Sequence, residues 1–417
     1  MKNRRLIFIP QLPTKLRYTE WWIEDFKKNL KDQFSDFIVI GEKYLNSYIN
    51  KQIQVDNQES FNNLNKSIEF ELFQIQEFMN FELQSTDILL LADISFPGLF
   101  CNILYHKRPQ YCFAICHGTS KNAFDIFEKD KDSKWKIESG HAELFNRIFV
   151  GSAYHKTKLK WQNVKVIGMP DPPMQYTSNI KNKTIDIISV ARKTEQKVNL
   201  KIEKQVEEKF GKIYRKEYNT WNEYFDALSK SKILLITANE ETYGYQIIDC
   251  LKYGNGCVPL APQRLSYPEL LSEDYLYRNF DIQGLFNKIE LILNNQFNSY
   301  DNLQFKPSNF YHLLYSHMER AILYNETKPK YIINEIKKIA EKEKIYFLAS
   351  SMHQVNSLIK IYNLNKSNCV YVNDDCKIHG VKNKTMVLLN NYYINPKNFD
   401  ILDVSKSLNF SYITLQI

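Results

Sequence analysis

A chain of 417 residues has room for two or three domains with separate cores. Its 44% hydrophobic and 14% aromatic content is that of a globular protein and excludes a disordered one. A net charge of +8 admits polyanions as partners, either nucleic acid or an anionic membrane surface, without selecting between them.

The basic N-terminus MKNRRLIFIP carries too short an apolar patch for a signal peptide, and the apolar run 88–104 is broken by Asp93 and Pro97. No membrane span is therefore expected, and a cytoplasmic protein is. Seven cysteines (Cys101, Cys112, Cys116, Cys250, Cys257, Cys369 and Cys376) include no Cys-x2-Cys pair. Buried free thiols in a reducing compartment fit that spacing, and neither zinc nor disulfides are indicated.

In chain order, residues 5–9 read as a strand, 10–16 as a proline-rich turn, 19–34 as an amphipathic helix and 36–40 as a second strand. A helix over 59–83 precedes a buried strand, 87–92, that ends at Asp93. A short helix over 98–105 leads into strand 110–116, which ends in His117-Gly118-Thr119-Ser120. Open parallel sheets bind ligands at the carboxyl ends of their strands, and His117 stands there. Asp125, Lys134, Trp135 and Glu138 then read as a polar stretch over the same edge. A strand within 144–152, a basic helix over 154–161 and a strand at 164–168 lead to Met169-Pro-Asp-Pro-Pro173, a hinge that no regular element continues through.

A second series begins with strand 185–191 and passes into Arg192-Lys-Thr-Glu-Gln-Lys197. Two cations five positions apart beyond a strand end suit one anion. A helix over 199–210, a strand at 211–216 and a helix over 221–230 follow, then the stretch KILLITANEETYGYQIIDCLKYGNGCVPLAP, residues 232–262. It reads as strand 233–238, an acidic loop, a helix opening near Gly244, a stop at Gly254 and Gly256, and another strand. Glu241 and Asp249, with seven residues between them, suit the vicinal hydroxyls of a polyol, and the free N–H groups at Gly244, Tyr245 and Gln246 suit a phosphate. A ligand that combines sugar and phosphate is a nucleotide sugar. Helices over 283–294 and 308–323 complete this half.

A charged helix over 328–344 opens a third region. It contains strands at 345–349, 369–372, 385–389 and 412–416, and helices near 352–362 and 398–407. Its polar strand ends are Asn373-Asp-Asp375 and Asn390-Asn-Tyr-Tyr393. No dinucleotide fingerprint, Walker loop or His-Glu-x-x-His motif occurs, which removes the simplest oxidoreductase, nucleotide-triphosphatase and metalloprotease assignments.

The run from Glu241 to Gly254 resembles the donor-site motif of retaining GT-B glycosyltransferases of the family 4 type, Glu-x7-Glu followed by Ala-Met-Ala-x-Gly, with Asp249 in place of the second Glu. The likeness covers residues 1–325. It implies an α/β fold of two facing Rossmann-like domains, an N-terminal acceptor domain over 1–172 and a donor domain over 173–327, followed here by an accessory α/β module over 328–417. It implies retention of configuration with no metal or other cofactor. Arg192 and Lys197 would grip the diphosphate, and Glu241 and His117 would act on the transferred sugar. Gly244, Tyr245, Gln246 and Asp249 would line the donor site, with Arg17, Asp93 and Thr119 on the acceptor side. Where the family has a glycine-rich turn after the first strand, this chain has PQLPTKLRY without glycine, so that Arg17 and Tyr18 stand in for that contact. The basic charge, the His117 loop and the added module are similar to bacteriophage enzymes that decorate hydroxymethylated DNA bases, which makes duplex or single-stranded DNA the expected acceptor. A cell-surface glycan or lipid-linked acceptor is the alternative, and an inactive binding protein on the same scaffold is a third.

Overall fold

The computed structural model describes residues 1–49, 60–124, 130–178, 182–279, 281–297, 305–342, 344–348, 356, 359–360, 363–372, 386–389 and 412–415. The chain divides into two units, Met1–Glu319 and Arg320–Ile417.

The first unit starts with β1 (Arg5–Ile9), α1 (Thr19–Leu30), β2 (Asp36–Val39), α2 (Glu42–Ile49), α3 (Ser60–Asn80), β3 (Ile88–Leu91), α4 (Phe100–Ile103) and β4 (Tyr111–Cys116). It continues with α5 (Lys131–Ala142), β5 (Arg147–Val150), α6 (Ala153–Leu159) and β6 (Val164–Val166). The six strands form one parallel sheet in the order β2-β1-β3-β4-β5-β6. Strands β3 and β4 are apolar along their length and buried at every position, as strands covered on both faces must be. Arg5 donates to both carboxylate oxygens of the fully buried Asp87, at 2.8 and 2.7 Å, and so pins the start of β1 beside the residue that leads into β3.

The second half of this unit holds β7 (Ile185–Ile188), α7 (Leu200–Phe210), α8 (Trp221–Ser229), β8 (Ser231–Leu235), α9 (Tyr245–Tyr253), β9 (Val258–Pro262), β10 (Leu276–Tyr277) and α10 (Ile282–Leu293). Its parallel sheet has the order β10-β9-β8-β7. At the back of the strand ends Glu203 of α7 accepts from Arg215 at 2.8 and 2.7 Å, from Ser189 beyond β7 at 3.3 Å and from Thr237 beyond β8 at 3.2 Å. Helix α11 (Phe310–Lys342) follows, and its start packs Phe310 and Tyr311 edge-on against Phe26 of α1.

Within the unit running to Ile417, β11 (Ile345–Leu348), β12 (Cys369–Val372), β13 (Met386–Leu389) and β14 (Tyr412–Leu415) form a parallel sheet of order β12-β11-β13-β14.

Several elements differ from the sequence expectations. Residues 211–216 do not form a sheet strand. Tyr214 makes an isolated pairing with Ile188, because Arg215 turns away to Glu203. The polar stretch after residue 130 is helix α5, and the sequence signal was weak because its buried residues are only Glu138, His141 and Ala142. The helices expected over 308–323 and 328–344 are one 33-residue helix that continues through Pro329. Helix α2 and the two-residue edge strand β10 were not anticipated. Asp125, Cys376, the polar strand ends at 373–375 and 390–393, the helix expected near 398–407 and most of the helix expected over 352–362 lie outside the described residues. The other six cysteines are free thiols. Among the described residues no helix is long and apolar enough to cross a membrane.

Candidate active site between the two sheets

The loop after β8 does two jobs with adjacent acids. Glu240 turns toward the first half, where it accepts from Asn122 at 3.1 Å and Tyr154 at 3.3 Å and pairs with Lys158 of α6. Glu241 stays with its own half and pairs with Lys197 at 2.9 Å, the two side chains being 13% and 19% exposed. The next residue, Thr242, donates to the His117 carbonyl at 2.7 Å, while Ser152 donates to the Thr242 carbonyl at 2.5 Å. The Glu269 carboxylate accepts from the Ala153 and Tyr154 amides at 2.7 and 2.8 Å, which caps α6 of the first half with an acid from the second. A Cβ at Gly151 would lie 2.8 Å from the Tyr243 ring, so the approach of the halves requires glycine there.

Helix α9 starts at Gly244, whose φ of +103° is left-handed, so the chain can turn sharply into the helix there at no steric cost. Tyr245 follows and stacks on Tyr18 with ring centroids 5.2 Å apart. Among the described residues the buried Gln246 Oε1 has no hydrogen-bond partner, an orphan acceptor at the helix start where a ligand N–H or O–H would be welcome. Asp249, a turn further, accepts from Tyr224 at 3.0 Å, and burial pushes its carboxyl up to about 7.

From the first half, Arg17 comes from the turn before α1. Burial, with the nearby charge of Arg192, lowers its guanidinium to about 10, so that two cations from opposite halves crowd one place. His117 donates from Nε2 to the Ala92 carbonyl at 3.0 Å, and burial takes the imidazole down to about 4, leaving it neutral at physiological pH. Its ring lies 4.7 Å from Trp22 and 5.0 Å from Tyr18. The Asp93 carboxylate accepts from Gln11 at 2.8 Å and from the Ser95 amide at 3.2 Å, yet burial outweighs these bonds and lifts it to about 8. Thr119 is buried in the turn after β4, its amide donating to Asn122 at 2.8 Å.

The fold thus gathers Arg17, Asp93 and Glu241 with Arg192 around Tyr18, whose phenol all four charges affect. Lys197 joins through Glu241 and His117 through the ring stack. The hydrogen bonds of Asp249 and Thr119 are with Tyr224 and Asn122, and the charge of Asp249 is felt at Tyr245 of the stack. Sequence reasoning passed over Glu240, Gln11, Trp22 and Glu269. The pair Glu240-Glu241 looks alike in sequence, and only the fold separates the residue that joins the halves from the one that faces the crevice. Among the described residues no group of His, Cys, Asp and Glu side chains has the arrangement of a metal site.

The raised Asp93 carboxyl has a consequence for stability. A group at about 8 in the fold and about 3.9 in the unfolded chain binds its proton more tightly when native. Its stabilising contribution is therefore full below about pH 4 and is lost as pH rises through 8. Asp249, at about 7, acts in the same sense. His117 and His155, at about 4 and about 3, act in the opposite sense, and only below about pH 6.5. Between pH 6.5 and 8.5 the stability measured in urea is expected to fall, by up to ~1.4 kcal/mol per pH unit for each carboxyl, and Asp93→Asn to flatten the upper part of the fall. Parallel curves for the two proteins would show Asp93 to be ionised throughout.

No family model matches the sequence, and no curated protein matches it. Among solved structures, HepE of Anabaena in complex with UDP-glucose is similar, with a TM-score of 0.53 at 13% identity over 78% of this chain and 99% of that one. Sucrose-phosphate synthase from Thermosynechococcus elongatus gives 0.53 at 11% identity, over 78% and 99%. The pneumococcal O-GlcNAc transferase GtfA, in complex with UDP and GlcNAc, gives 0.44 at 11% identity over 60% of each chain, so the chain spans three-fifths of that protein's length. At these identities the likeness to HepE and sucrose-phosphate synthase establishes the architecture. The fold is GT-B, with two Rossmann-like sheets whose strand ends meet at the crevice described above.

Proposed function

We propose that the protein is a retaining, nucleotide-sugar-dependent glycosyltransferase of the cytoplasm, which transfers a sugar to a hydroxyl group, best a hydroxymethylated base in DNA, without a metal or other cofactor. The observation that carries the reading is the Glu241–Lys197 pair at the β8 strand end, beside Arg192 and the α9 N-terminus. Glu241 accepts from the sugar hydroxyls, while Lys197, Arg192 and the first amides of α9 neutralise the leaving diphosphate. The acceptor oxygen bonds to the anomeric carbon as the bond from that carbon to the phosphate oxygen breaks, and the freed phosphate takes the acceptor's proton. Neutral His117 orders the sugar rather than carrying charge. The domain assignment goes with this reading: an acceptor domain over 1–172, a donor domain over 173–327 and an accessory module over 328–417. The donor's class is supported by the likeness to HepE, which was solved with UDP-glucose. The DNA acceptor is compatible with the +8 charge, since phosphates must be met by several cations.

The test measures UDP binding and sugar transfer together. Arg192→Ala and Lys197→Ala are each expected to weaken UDP binding by about 1.5–3 kcal/mol. Duplexes carrying hydroxymethylated pyrimidines are expected to accept the sugar, with binding that falls steeply with salt, and mismatched sites to react at least as fast as paired ones because the base must leave the stack. Unchanged UDP affinity in both variants would remove the donor assignment. Transfer to glycans or lipid-linked hydroxyls alone, without salt-sensitive duplex binding, would move the acceptor to that class, and donor binding without transfer would leave a binding protein.

A further inference from the structure

Tyr18 occupies the middle of the crevice. It is the residue just before α1, and its ring is near-parallel to His117 of the first half, at 21° and 5.0 Å, and to Tyr245 of the second, at 18° and 5.2 Å. Trp22 flanks His117, and Trp21 meets Tyr245 edge-on at 6.4 Å. Tyr245 is held from its far end by a hydrogen bond to the Pro170 carbonyl at 3.0 Å, and His117 by its bond to the Ala92 carbonyl. Both outer rings are therefore fixed independently of Tyr18. The Tyr18 phenol, at the edge of this stack, feels the charges of Asp93, Arg17, Glu241 and Arg192.

A planar ring held face to face between two independently anchored rings, with its hydroxyl in the field of two carboxyl and two guanidinium groups of the proposed transfer site, has the form of a substrate. From this geometry we infer that Tyr18 is a built-in stand-in for the acceptor, and that the space between His117 and Tyr245 takes a planar heteroaromatic ring bearing a hydroxyl group. The inference rests on the transferase reading and narrows its acceptor class. Because His117 and Tyr245 keep their own anchors, withdrawing one side chain opens a gap with an aromatic wall on either half, into which a flat ring stacks and a puckered saturated ring does not fit face to face. The acceptor enters by displacing Tyr18 and places its hydroxyl where the phenol was. The turn 10–18, which has no glycine and contains Pro10 and Pro13, carries Tyr18.

The test uses the full chain without donor. Wild type, Tyr18→Gly and Tyr18→Phe are titrated calorimetrically with 5-hydroxymethyl-2′-deoxycytidine and with cyclohexylmethanol, a saturated ring bearing the same hydroxymethyl group. Glycine is well tolerated at a helix N-cap, and Tyr18→Ser replaces it should circular dichroism show the glycine variant unfolded. The glycine variant is expected to bind the nucleoside at least tenfold more tightly than wild type, the phenylalanine variant to gain nothing because its ring still fills the gap, and cyclohexylmethanol to gain nothing in either. No gain for the nucleoside, or an equal gain for the saturated alcohol, overturns the proposal. UDP is titrated into the same three proteins. Loss of UDP binding in all of them, beside a gain for the nucleoside, would remove the donor assignment and leave the planar subsite standing.

Discussion

Glu241→Gln is expected to lower sugar transfer by at least ~100-fold, the scale on which single electrostatic contacts to a reacting group act. Gln keeps the shape and an oxygen that still accepts from Lys197, now 2.9 Å from the carboxylate. The melting temperature should accordingly stay within ~3 °C, a change of about 1 kcal/mol or less. UDP alone should bind at least as tightly as before, because Lys197 is no longer neutralised by a neighbouring anion and its charge is free for the phosphates. This split, with transfer lost and UDP affinity kept or raised, sets a sugar-contacting role apart from a merely structural one. A variant with wild-type transfer rates would end the assignment of Glu241 to the donor hydroxyls.

Glu203→Ala should give the largest loss of stability among polar substitutions in the second half. The side chain is 9% exposed and gathers Arg215, Ser189 and Thr237, so truncation removes the carboxylate partner of a largely buried guanidinium and of two hydroxyls. Breaking a buried pair of this kind costs about 3–5 kcal/mol. The neighbouring Lys204, 78% exposed and paired with Glu208 along the helix, should cost under ~0.5 kcal/mol when replaced by Ala. Urea midpoints of both variants against wild type provide the comparison, and equal midpoints would mean that the Glu203 cluster contributes no net stability. Ser189 and Thr237 lie just beyond β7 and β8, the strands that lead to Arg192 and Glu241. Transfer should therefore decline in Glu203→Ala before the fold is lost.

The apolar strands were legible from composition alone. Runs such as Leu6–Ile9, Ile88–Leu91 and Ile233–Leu235 are buried throughout, and nothing but a covered strand suits them. The residues of the candidate site that stood out in the sequence are those where a strand end meets a charged or turn-forming residue, as at His117, Arg192, Glu241 and Gly244. What escaped depends on contacts between residues far apart in the chain. Helix α5 has too few apolar positions to announce itself, and its Glu138 is buried only because Ser120, eighteen residues earlier, donates to it at 2.7 Å. The long helix α11 was expected as two helices, over 308–323 and 328–344, yet it runs unbroken through Pro329, whose missing backbone bond is a local penalty that the remaining turns of a 33-residue helix can outweigh. The central position of Tyr18 is set by His117 and Tyr245, which lie 99 and 227 residues further along the chain.

Glu240 and Glu241 are consecutive, and they face different partners: one fastens the loop to Lys158 and Asn122 of the opposite half, the other pairs with Lys197 of its own half, where the proposed function puts the sugar. A peptide unit cannot move at one end and stay still at the other, so the two equilibria share a coordinate. Thermodynamic reciprocity then applies. Whatever factor donor occupancy contributes to holding the halves shut, shutting them contributes the same factor to donor affinity, and a small molecule that wedged the halves apart at Lys158 would compete with a nucleotide sugar without touching its pocket.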